Sequence, residues 1–455
     1  MATDTPPSIS GNAPNIVVIM ADNLGWGELG CYGGGALRGA PTPRIDALAS
    51  QGLLLQNFNV ESDCVPTRSA FMTGRHPIRT GALQSVPPNL PQGISPWEIT
   101  LPQRLKEHGY QTAMFGKWHL GDRAGRLPHD RGFDQWYGIP RTSDEVFFTS
   151  SIGFDPEVAS VPKIMSGIAG EDAVDCGDYD LEARRTIDEA LIDKAIGFLS
   201  DASIVDQPFF LFLPIVNLHF PTLPHADFDG RSGYGGSADC MMEMDHRVGQ
   251  IIDALTDLGL DEDTLFIFCS DNGPEFRHPW RGTAGPWRGT YHTAMEGSLR
   301  VPCIIRWPNI VKAGQVSNEM IHVSDLFSTL LGLAGASIPD DRPIDGIDQS
   351  AFLTGEQDKS LREGFPFYIK DALHAVKWRD WKLHFYWEPE VNQGHGKLES
   401  PYLFNIVSDP KEEHDILVTN TWVGEPILRL VHDFKASFET HPNTLPGADA
   451  PPQKS

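Results

Sequence analysis

The sequence alternates short, continuously apolar segments with longer amphipathic ones. The first apolar segment, residues 15–20, reads NIVVIM. The unbroken apolar run that follows Asn15 is typical of a strand buried on both faces of a parallel sheet. Comparable strands are predicted at residues 111–115, 209–216 and 265–269, and helices at residues 43–51, 101–108, 186–199 and 241–258. This alternation predicts an α/β fold with a mostly parallel central sheet sandwiched by helices.

The pattern changes after about residue 345. Shorter aromatic segments follow at residues 365–369, 375–378, 382–387 and 402–405, and such segments favour an antiparallel sheet. We therefore expect a catalytic α/β domain over residues 1–345 and a smaller C-terminal α+β domain over residues 346–446. The tail, residues 447–455, and the first dozen residues are predicted to be disordered.

The charge of the chain limits its partners. With 36 basic and 61 acidic side chains, the net charge is −25, which argues against nucleic acid because phosphate binding needs a basic surface. An anionic substrate would need positive charge concentrated at its own site. No segment has the apolar length of a membrane helix, and residues 1–15 do not resemble a signal peptide. We expect no membrane partner and a cytoplasmic location, although a processed secreted form fits equally; nothing indicates the oligomeric state.

Polar side chains follow four of the predicted strands at their carboxyl ends. In open α/β sheets, ligands bind beyond these ends. Four strands that deliver acids, amides, a lysine and histidines to one edge predict a functional site there. The side chains are Asp22, Asn23, Lys117, His119, His219, Asp271 and Asn272.

The six cysteines are scattered without metal-ligand spacing, and only Cys64 has unusual neighbours. Residues 63–75 read DCVPTRSAFMTGR. Pro66 suits the first turn of a helix, so we expect Cys64 just before a helix amino terminus and Arg68 one turn further on. Free backbone amides, the helix dipole and the Arg68 charge would together attract an oxyanion.

The run from Cys64 to Arg68, CVPTR, with TGR at residues 73–75, resembles the signature of the formylglycine-dependent sulfatases of the alkaline phosphatase superfamily. Further similar segments occur in family order across nearly the whole chain. They are residues 21–23, 116–121, 131–134, 219–221, 270–274 and 296–302. Residues 373–377 and 382–385 are similar to the arylsulfatase A branch in particular.

The resemblance implies a modified nucleophile. In the family, a formylglycine-generating maturation enzyme oxidises the cysteine to 3-oxoalanine (formylglycine), so Cys64 is the expected modified residue and that enzyme an expected partner. The hydrated aldehyde would attack sulfur while Arg68 neutralises charge on the sulfate. His219, with Lys117, would protonate the leaving oxygen, and His119 would take a proton so that sulfate is expelled.

Each of these side chains also has an ordinary structural explanation. A single histidine is more often a hydrogen-bonded structural residue, and a single lysine is more often a solvated charge. Arg68 could pair with a surface acid, and His225 could compete with His219 for the same role. Their occurrence together with Cys64 favours catalysis.

The resemblance also implies one divalent metal ion, usually Ca²⁺ in this family, with Mg²⁺ or Mn²⁺ as alternatives. Its ligands would be Asp22, Asn23, Asp271 and Asn272. Hard oxygen donors without sulfur or imidazole agree with that choice. Taken singly, Asp22 fits a cap of the following turn and residues 271–273 fit an ordinary tight turn. Many relatives have an acid where this chain has Asn23, which predicts weaker ion binding.

Substrate contacts are predicted for Lys117, His219, Thr142, Tyr291 and His292. Thr142 aligns with a substrate-contacting serine of the arylsulfatase A branch, although most loop threonines have no such role. Tyr291 stands five residues before Glu296, where the family often has a sulfate-contacting lysine. Arg288 or His292 could replace that lysine.

These observations predict hydrolysis of a sulfate monoester of a small molecule or a sugar. A phosphonate monoester or phosphodiester hydrolase is the nearest alternative, because the same fold and modified cysteine can serve phosphorus chemistry. A non-catalytic, metal-binding homologue is a third interpretation. The missing lysine favours that interpretation, whereas the retained Cys64 and Arg68 oppose it.

Overall fold

The computed structural model describes residues 13–88, 90–277, 280–391 and 396–452. Its strands are β1 (Asn15–Ala21), β2 (Leu53–Leu55), β3 (Phe58–Asn59), β4 (Gln111–Lys117), β5 (Gln135–Ile139), β6 (Lys163–Ile168), β7 (Val174–Asp178), β8 (Phe209–Pro214), β9 (Thr264–Ser270), β10 (Cys303–Arg306), β11 (Gln315–Ser317), β12 (Ile321–His322), β13 (Gly364–Ile369), β14 (Ala372–Trp378), β15 (Trp381–Trp387) and β16 (Gly396–Asn405). Its α-helices are α1 (Pro43–Ser50), α2 (Cys64–Thr73), α3 (Pro77–Thr80), α4 (Leu101–Glu107), α5 (Leu181–Ala202), α6 (Gly236–Asp257), α7 (Glu296–Leu299), α8 (Val323–Leu333), α9 (Ser350–Leu353) and α10 (Gly424–Thr440).

The large sheet has ten strands in the order β11-β2-β10-β9-β1-β8-β4-β5-β6-β7. The central strands β9, β1, β8, β4 and β5 run parallel, whereas β10 and the β6–β7 hairpin are antiparallel to their neighbours. Both faces are covered, which explains the continuous apolar runs. In β1, Val18 packs in the core with α2, α4 and α8, and Val17 packs in the core with α1, α5 and α6. The predicted α/β sandwich is confirmed.

The helices α5 and α6 begin five residues earlier than predicted, at Leu181 and Gly236. Asp180 caps α5, since its carboxylate accepts hydrogen bonds from the amides of Glu182 and Ala183 at 3.0 and 2.9 Å. The first turn of α5 has one large apolar residue, Leu181, and the first turn of α6 has none, which is too few to reveal a helical period. The four predicted strands of the large sheet agree with the observed ones to within two residues at each end.

A second, four-stranded sheet follows in the order β13-β14-β15-β16, and all its pairings are antiparallel, as predicted. Its strands β14 and β16 begin at Ala372 and Gly396, earlier than the aromatic pattern indicated. The helix α10 packs on this sheet through Ile427 and Val431. The expected domain boundary at residue 345 stays a prediction.

The chain beyond α10 returns to the large domain. Arg126 donates to the carbonyl oxygens of Gly447 and Ala448 at 3.0 and 2.8 Å and to Asp449 Oδ1 at 2.6 Å. The predicted disorder of the tail, residues 447–455, stays a prediction. The predicted disorder of the first dozen residues lies outside the described residues. Within the described ranges, no helix is both long enough and apolar enough to cross a bilayer.

Candidate active site

Three strands of the large sheet end at the site, where β9 and β1 are neighbours and β8 lies between β1 and β4. Asp22 directly follows β1, Asp271 directly follows β9, and Lys117 is the last residue of β4. Parallel strands present their carboxyl ends at the same edge, so these three side chains meet there. All three are fully buried, and Lys117 Nζ donates to Asp22 Oδ2 at 2.6 Å.

Cys64 lies at the amino terminus of α2. Asp63 caps the helix by accepting from the Val65 amide at 3.1 Å, so Cys64 is the first helical residue and not the residue before it. The Cys64 Sγ lies 3.2 Å from Lys117 Nζ and 3.4 Å from Asp22 Oδ1. Burial and the nearby Asp22 raise the pKa of the Cys64 thiol well above its usual value. The unmodified side chain is therefore a poor thiolate nucleophile.

Arg68 lies one turn along α2 and is locked in place. Its Nε and Nη2 donate to Asp271 Oδ2 at 3.1 and 2.8 Å, and its Nη1 donates to the Lys117 carbonyl at 2.5 Å. Burial alone would raise the pKa of Asp22, but the charges of Lys117, His219 and Arg68 lower it overall. Two carboxylates and two fixed cations thus share one buried volume beside the helix terminus.

The amides of Asn23 and Asn272 complete an oxygen-rich cluster. The side-chain Nδ2 of Asn272 donates to Asn23 Oδ1 at 2.5 Å, and the backbone amide of Asn23 donates to Asp271 Oδ1 at 3.2 Å. Among the described residues, the buried Asn272 Oδ1 has no hydrogen-bond partner. Burial and the like charge of Asp22 raise the pKa of Asp271. An orphaned amide oxygen beside two repelling carboxylates fits a hard divalent cation, which would neutralise both.

His219 reaches the nucleophile from the loop after β8. Its Nδ1 donates to the Phe220 carbonyl at 2.6 Å, which leaves Nε2 as the nitrogen available to a ligand. A ring nitrogen of His219, the Cys64 Sγ and a carboxylate oxygen of Asp22 lie within 4.8 Å of one another. This proximity places His219 in that group, and no other histidine of the described residues belongs to it.

His119 lies two residues beyond β4, in the left-handed region with φ 59°. Its Nε2 is 3.1 Å from Ser85 Oγ, and its buried Nδ1 has no partner within the described part of the chain. Burial and the charges of Lys117 and Arg68 lower its pKa well below the usual value. The ring is therefore neutral and able to accept a proton.

Two alternatives raised by the sequence lie elsewhere. The His225 ring faces Glu189 and Asp227 at 3.4 and 3.5 Å, so it does not compete with His219. Arg288 donates to the Glu412 carbonyl and pairs with Glu413, both at 3.3 Å. Arg288 as the replacement for the missing lysine is therefore wrong, because its guanidinium is tied to the segment after the small sheet.

Comparisons with known proteins agree with this geometry. The family model described as Sulfatase matches residues 14–336. The chain belongs to the sulfatase family. A second model, described as N-sulphoglucosamine sulphohydrolase, C-terminal, matches residues 291–427. As a member of this family, the protein is a hydrolase of sulfate esters.

The sulfatase has several curated relatives of similar length. It is 34% identical to arylsulfatase A of Homo sapiens, with 89% of this chain and 83% of the relative covered. It is 33% identical to N-acetylgalactosamine-6-sulfatase of Canis lupus familiaris, with 88% and 78% covered. These relatives confirm the predicted family and enzyme class.

Solved structures give the same result. The crystal structure of the PsFucS1 sulfatase from Pseudoalteromonas sp. superposes with a TM-score of 0.89 at 32% identity, covering 95% of this chain and 92% of that one. The phosphonate monoester hydrolase of Agrobacterium radiobacter has a TM-score of 0.60 at 19% identity, covering 94% and 96%. The second likeness shows a shared fold only.

The predicted substrate contacts of this sulfatase lie at the rim of the site. Thr142 Oγ1 is 3.4 Å from His219 Nε2. The rings of Tyr291 and His292 lie 4.3 Å apart, and His292 Nδ1 pairs with Asp63 Oδ2 at 3.2 Å. Burial lowers the pKa of His292, but Asp63 raises it overall. His292 thus pairs with the cap of α2, near the position where the family often has lysine.

Sequence reasoning missed two residues of the sulfatase site, Glu275 and Arg277. Together with Asn23 and Phe220, they line a cavity of about 150 Å³ next to the metal-type cluster. Their position directly after the Asp271–Gly273 turn was the available signal, since chain that follows a metal turn stays close to it. Neither residue type is diagnostic alone, and so the sequence pattern did not single them out.

Proposed function

We propose that this sulfatase cleaves sulfate monoesters at Cys64, in its formylglycine form, with a Ca²⁺ ion held by Asp22, Asn23, Asp271 and Asn272. The observation that carries the proposal is the contact of Cys64 Sγ with both Lys117 Nζ and Asp22 Oδ1 at the start of α2. The hydrate of the formylglycine aldehyde would supply an oxygen nucleophile, and the cation, when bound, would polarise the sulfate. The oxygen-only ligand set supports calcium over zinc.

The cationic side chains bind and orient the sulfate. Arg68 is held by Asp271, and Lys117 by Asp22, so both charges are fixed before substrate arrives. Fixed donors that need no reorganisation stabilise charge developing on sulfate oxygens. The helix terminus adds the positive end of its dipole at Cys64. This concentrated positive charge accounts for anion binding by a chain of net charge −25.

The two histidines divide the proton transfers. His219, with Nδ1 committed to the Phe220 carbonyl, delivers a proton from Nε2 to the leaving oxygen. His119 is neutral and has an unpartnered Nδ1, so it accepts the proton that must leave position 64 for sulfate to depart. Thr142 orients His219 through its hydroxyl. A formylglycine-generating maturation enzyme is the implied partner that prepares Cys64.

The test combines mass spectrometry and kinetics. Protein co-expressed with a maturation enzyme should give a Cys64 peptide with the lighter aldehyde mass, and should hydrolyse para-nitrophenyl sulfate faster than the phenylphosphonate monoester of para-nitrophenol. Cys64→Ala should lower kcat/KM about 10,000-fold or more. Cys176→Ala, at an exposed cysteine of β7, is the matched control and should not change the rate. Unchanged turnover by purified Cys64→Ala, or a preference for the phosphonate, would contradict the proposal.

A further inference from the structure

The cavity of about 150 Å³ beside the metal-type cluster has a specific chemical character. Its walls combine two acids, one base, hydroxyls and aromatic rings. The lining residues are Asn23, Glu28, Leu218, Phe220, Thr222, Ser237, Glu275, Arg277, Trp280 and Gly282. Leu218 and Phe220 flank His219 in sequence, so the cavity opens where the proposed proton donor meets the leaving group.

Glu28 is already bound by Arg38 and by the Thr283 amide, but the other two charged groups of this cavity are not used by the protein itself. Within the described residues, neither the Glu275 carboxylate nor the Arg277 guanidinium forms a hydrogen bond or an ion pair. Arg277 instead lies over the Phe220 ring, 4.7 Å from its centroid. A largely buried carboxylate without a donor is costly unless a ligand supplies one. The two side chains together offer an acceptor and a planar set of donors to a ligand.

We propose that this cavity binds the alcohol half of the substrate as a single sugar ring, with Glu275 and Arg277 contacting its hydroxyls. This inference rests on the proposed function, because it assumes that the sulfate lies at Cys64. Sugar hydroxyls both donate and accept, which matches the pair. The Phe220 and Trp280 rings supply the apolar surface on which a sugar face packs.

Size and polarity argue against other alcohols. Drug-sized ligands occupy roughly 300–1,000 Å³, whereas this cavity has about 150 Å³, which favours a group smaller than a steroid. A phenyl group would fit, but it would leave the buried Glu275 carboxylate without a partner, at a cost of about 1–3 kcal/mol, and would make no use of the exposed Arg277 guanidinium. A monosaccharide satisfies both the volume and the polar groups.

A second cavity near the site, of about 290 Å³, lacks this character. It begins at Thr142, but its charged walls are already paired. Arg141 binds Asp122 at 2.8 Å and Glu145 at 2.6 Å, and Lys163 binds Asp178 at 2.7 Å. These side chains have no unmet bonds to offer a ligand, so the smaller cavity is the better candidate.

The test compares sugar and aryl substrates in matched variants. The probes are the primary and secondary monosulfates of galactose and glucose, with para-nitrophenyl sulfate as the aryl reference. Arg277→Gln and Glu275→Gln should each lower kcat/KM for the preferred sugar sulfate about 10- to 100-fold. The loss on the aryl sulfate should be only about threefold, because a phenyl ring makes no such bonds. Arg281→Gln is the control, since Arg281 pairs with Glu390 at 3.6 Å and does not line the cavity.

A direct binding measurement avoids dependence on turnover. Cys64→Ala protein titrated calorimetrically with the preferred sugar sulfate should bind it, and adding Arg277→Gln should weaken binding about tenfold or more. Inorganic sulfate, which lacks the ring, should bind both proteins equally. Binding of the sugar sulfate that is unaffected by Arg277→Gln would overturn the inference.

The outcomes separate the two proposals. If wild type cleaves the aryl sulfate but no sugar sulfate, or if Arg277→Gln and Glu275→Gln reduce both substrates by the same factor, the sugar cavity is wrong and the proposed function stands. Faster cleavage of a steroid sulfate than of any sugar sulfate would also overturn it. If aldehyde-bearing wild type cleaves neither class, the proposed function fails, and the inference fails with it.

Discussion

Two buried charge clusters in this sulfatase have similar composition and opposite character. One joins the small sheet to the large domain: Glu296 Oε2 lies 2.7 Å from Lys377 Nζ, and Glu296 Oε1 lies 3.1 Å from Lys382 Nζ. Lys377 Nζ also donates to Asn57 and Asn59 at 3.0 and 2.7 Å. Burial alone would raise the pKa of Glu296, but Lys377, Lys382 and Arg300 lower it well below its usual value. Its charge is fully paired.

The catalytic cluster is left open. Asp271 is paired with Arg68, yet burial and Asp22 raise its pKa, and the neighbouring Asn272 Oδ1 has no partner in the described ranges. The joining cluster saturates its charged groups and fixes the packing of two sheets. The catalytic cluster keeps an unmet oxygen and opposed carboxylates, which is the state expected of a site that awaits a cation and an anionic substrate.

The largest expected effect comes from breaking the joining cluster around Glu296. Glu296→Gln leaves Lys377 buried without a carboxylate and Lys382 with Glu412 alone, and the free energy of unfolding in urea should fall by about 3–5 kcal/mol. The folded fraction should retain its kcat/KM, because Glu296 does not touch the site. Glu413→Gln, at a half-exposed ion pair with Arg288, should cost no more than about 1 kcal/mol. Similar losses in both variants would show that the joining cluster contributes no more to stability than a surface ion pair.

Breaking the catalytic cluster should lower the rate of catalysis. Arg68→Gln removes a fixed donor from the sulfate oxygens, so kcat/KM for para-nitrophenyl sulfate should fall about 100- to 1,000-fold. Arg306→Gln, which breaks the surface pair with Asp261, is the matched control and should leave kcat/KM unchanged. A fall of less than about tenfold for Arg68→Gln would place its role in folding alone.

Metal binding should stabilise the protein through the catalytic cluster and not through the joining cluster. Calcium at about 100 times its Kd should raise the free energy of unfolding of wild type by about 2.7 kcal/mol. The same gain is expected in Glu296→Gln and should largely vanish in Asn272→Ala, which removes the unpartnered oxygen. Thermal or urea unfolding with Ca²⁺, Mg²⁺ and Mn²⁺ measures this gain. Equal stabilisation of Asn272→Ala would place the ion elsewhere.

A smaller change should strengthen the metal site. Asn23→Asp adds a negative ligand, and calcium affinity should rise about tenfold, or about 1.4 kcal/mol, because affinity in oxygen sites follows ligand charge. Calorimetric titration of wild type, Asn23→Asp and Asn23→Ala gives the comparison. No gain from the added charge would count against Asn23 as a ligand.

The pH dependence of the unfolding free energy should report the charge pairing in the joining cluster. Since the folded pKa of Glu296 lies below its usual 4.5, its contribution to stability is full above pH 4.5 and is lost as the pH falls from there towards the folded pKa. The difference in unfolding free energy between wild type and Glu296→Gln should therefore shrink below that pH, by about 1.4 kcal/mol per unit. A constant difference across that range would contradict the pairing.

The catalytic cluster could be predicted from the sequence, and the joining cluster could not. Asp22, Lys117 and Asp271 each end or directly follow an apolar strand, and parallel strands share an edge. Glu296 meets Lys377 and Glu412 from 81 and 116 positions away, and no local pattern relates them. The roles of the catalytic residues came from the family resemblance, not from the pattern itself.

Other misses have local physical causes. The early start of α5 depends on a single capping aspartate, Asp180, ahead of a polar first turn. Arg288 was considered for the sulfate because of its position in sequence, but its direction is set by the acids after β16. Glu275 and Arg277 line a cavity only because the Phe220 loop, distant in sequence, packs against Arg277.

The clamp at Arg126 has a practical consequence for preparing this enzyme. The same guanidinium that holds Gly447–Asp449 donates to the Gln92 and Ile94 carbonyls at 3.0 and 2.9 Å, and the Ile94 amide donates to the carbonyl of Leu120, next to His119. A clone trimmed before Gly447 would therefore remove three oxygens bound by the same guanidinium that holds the segment next to the proposed base.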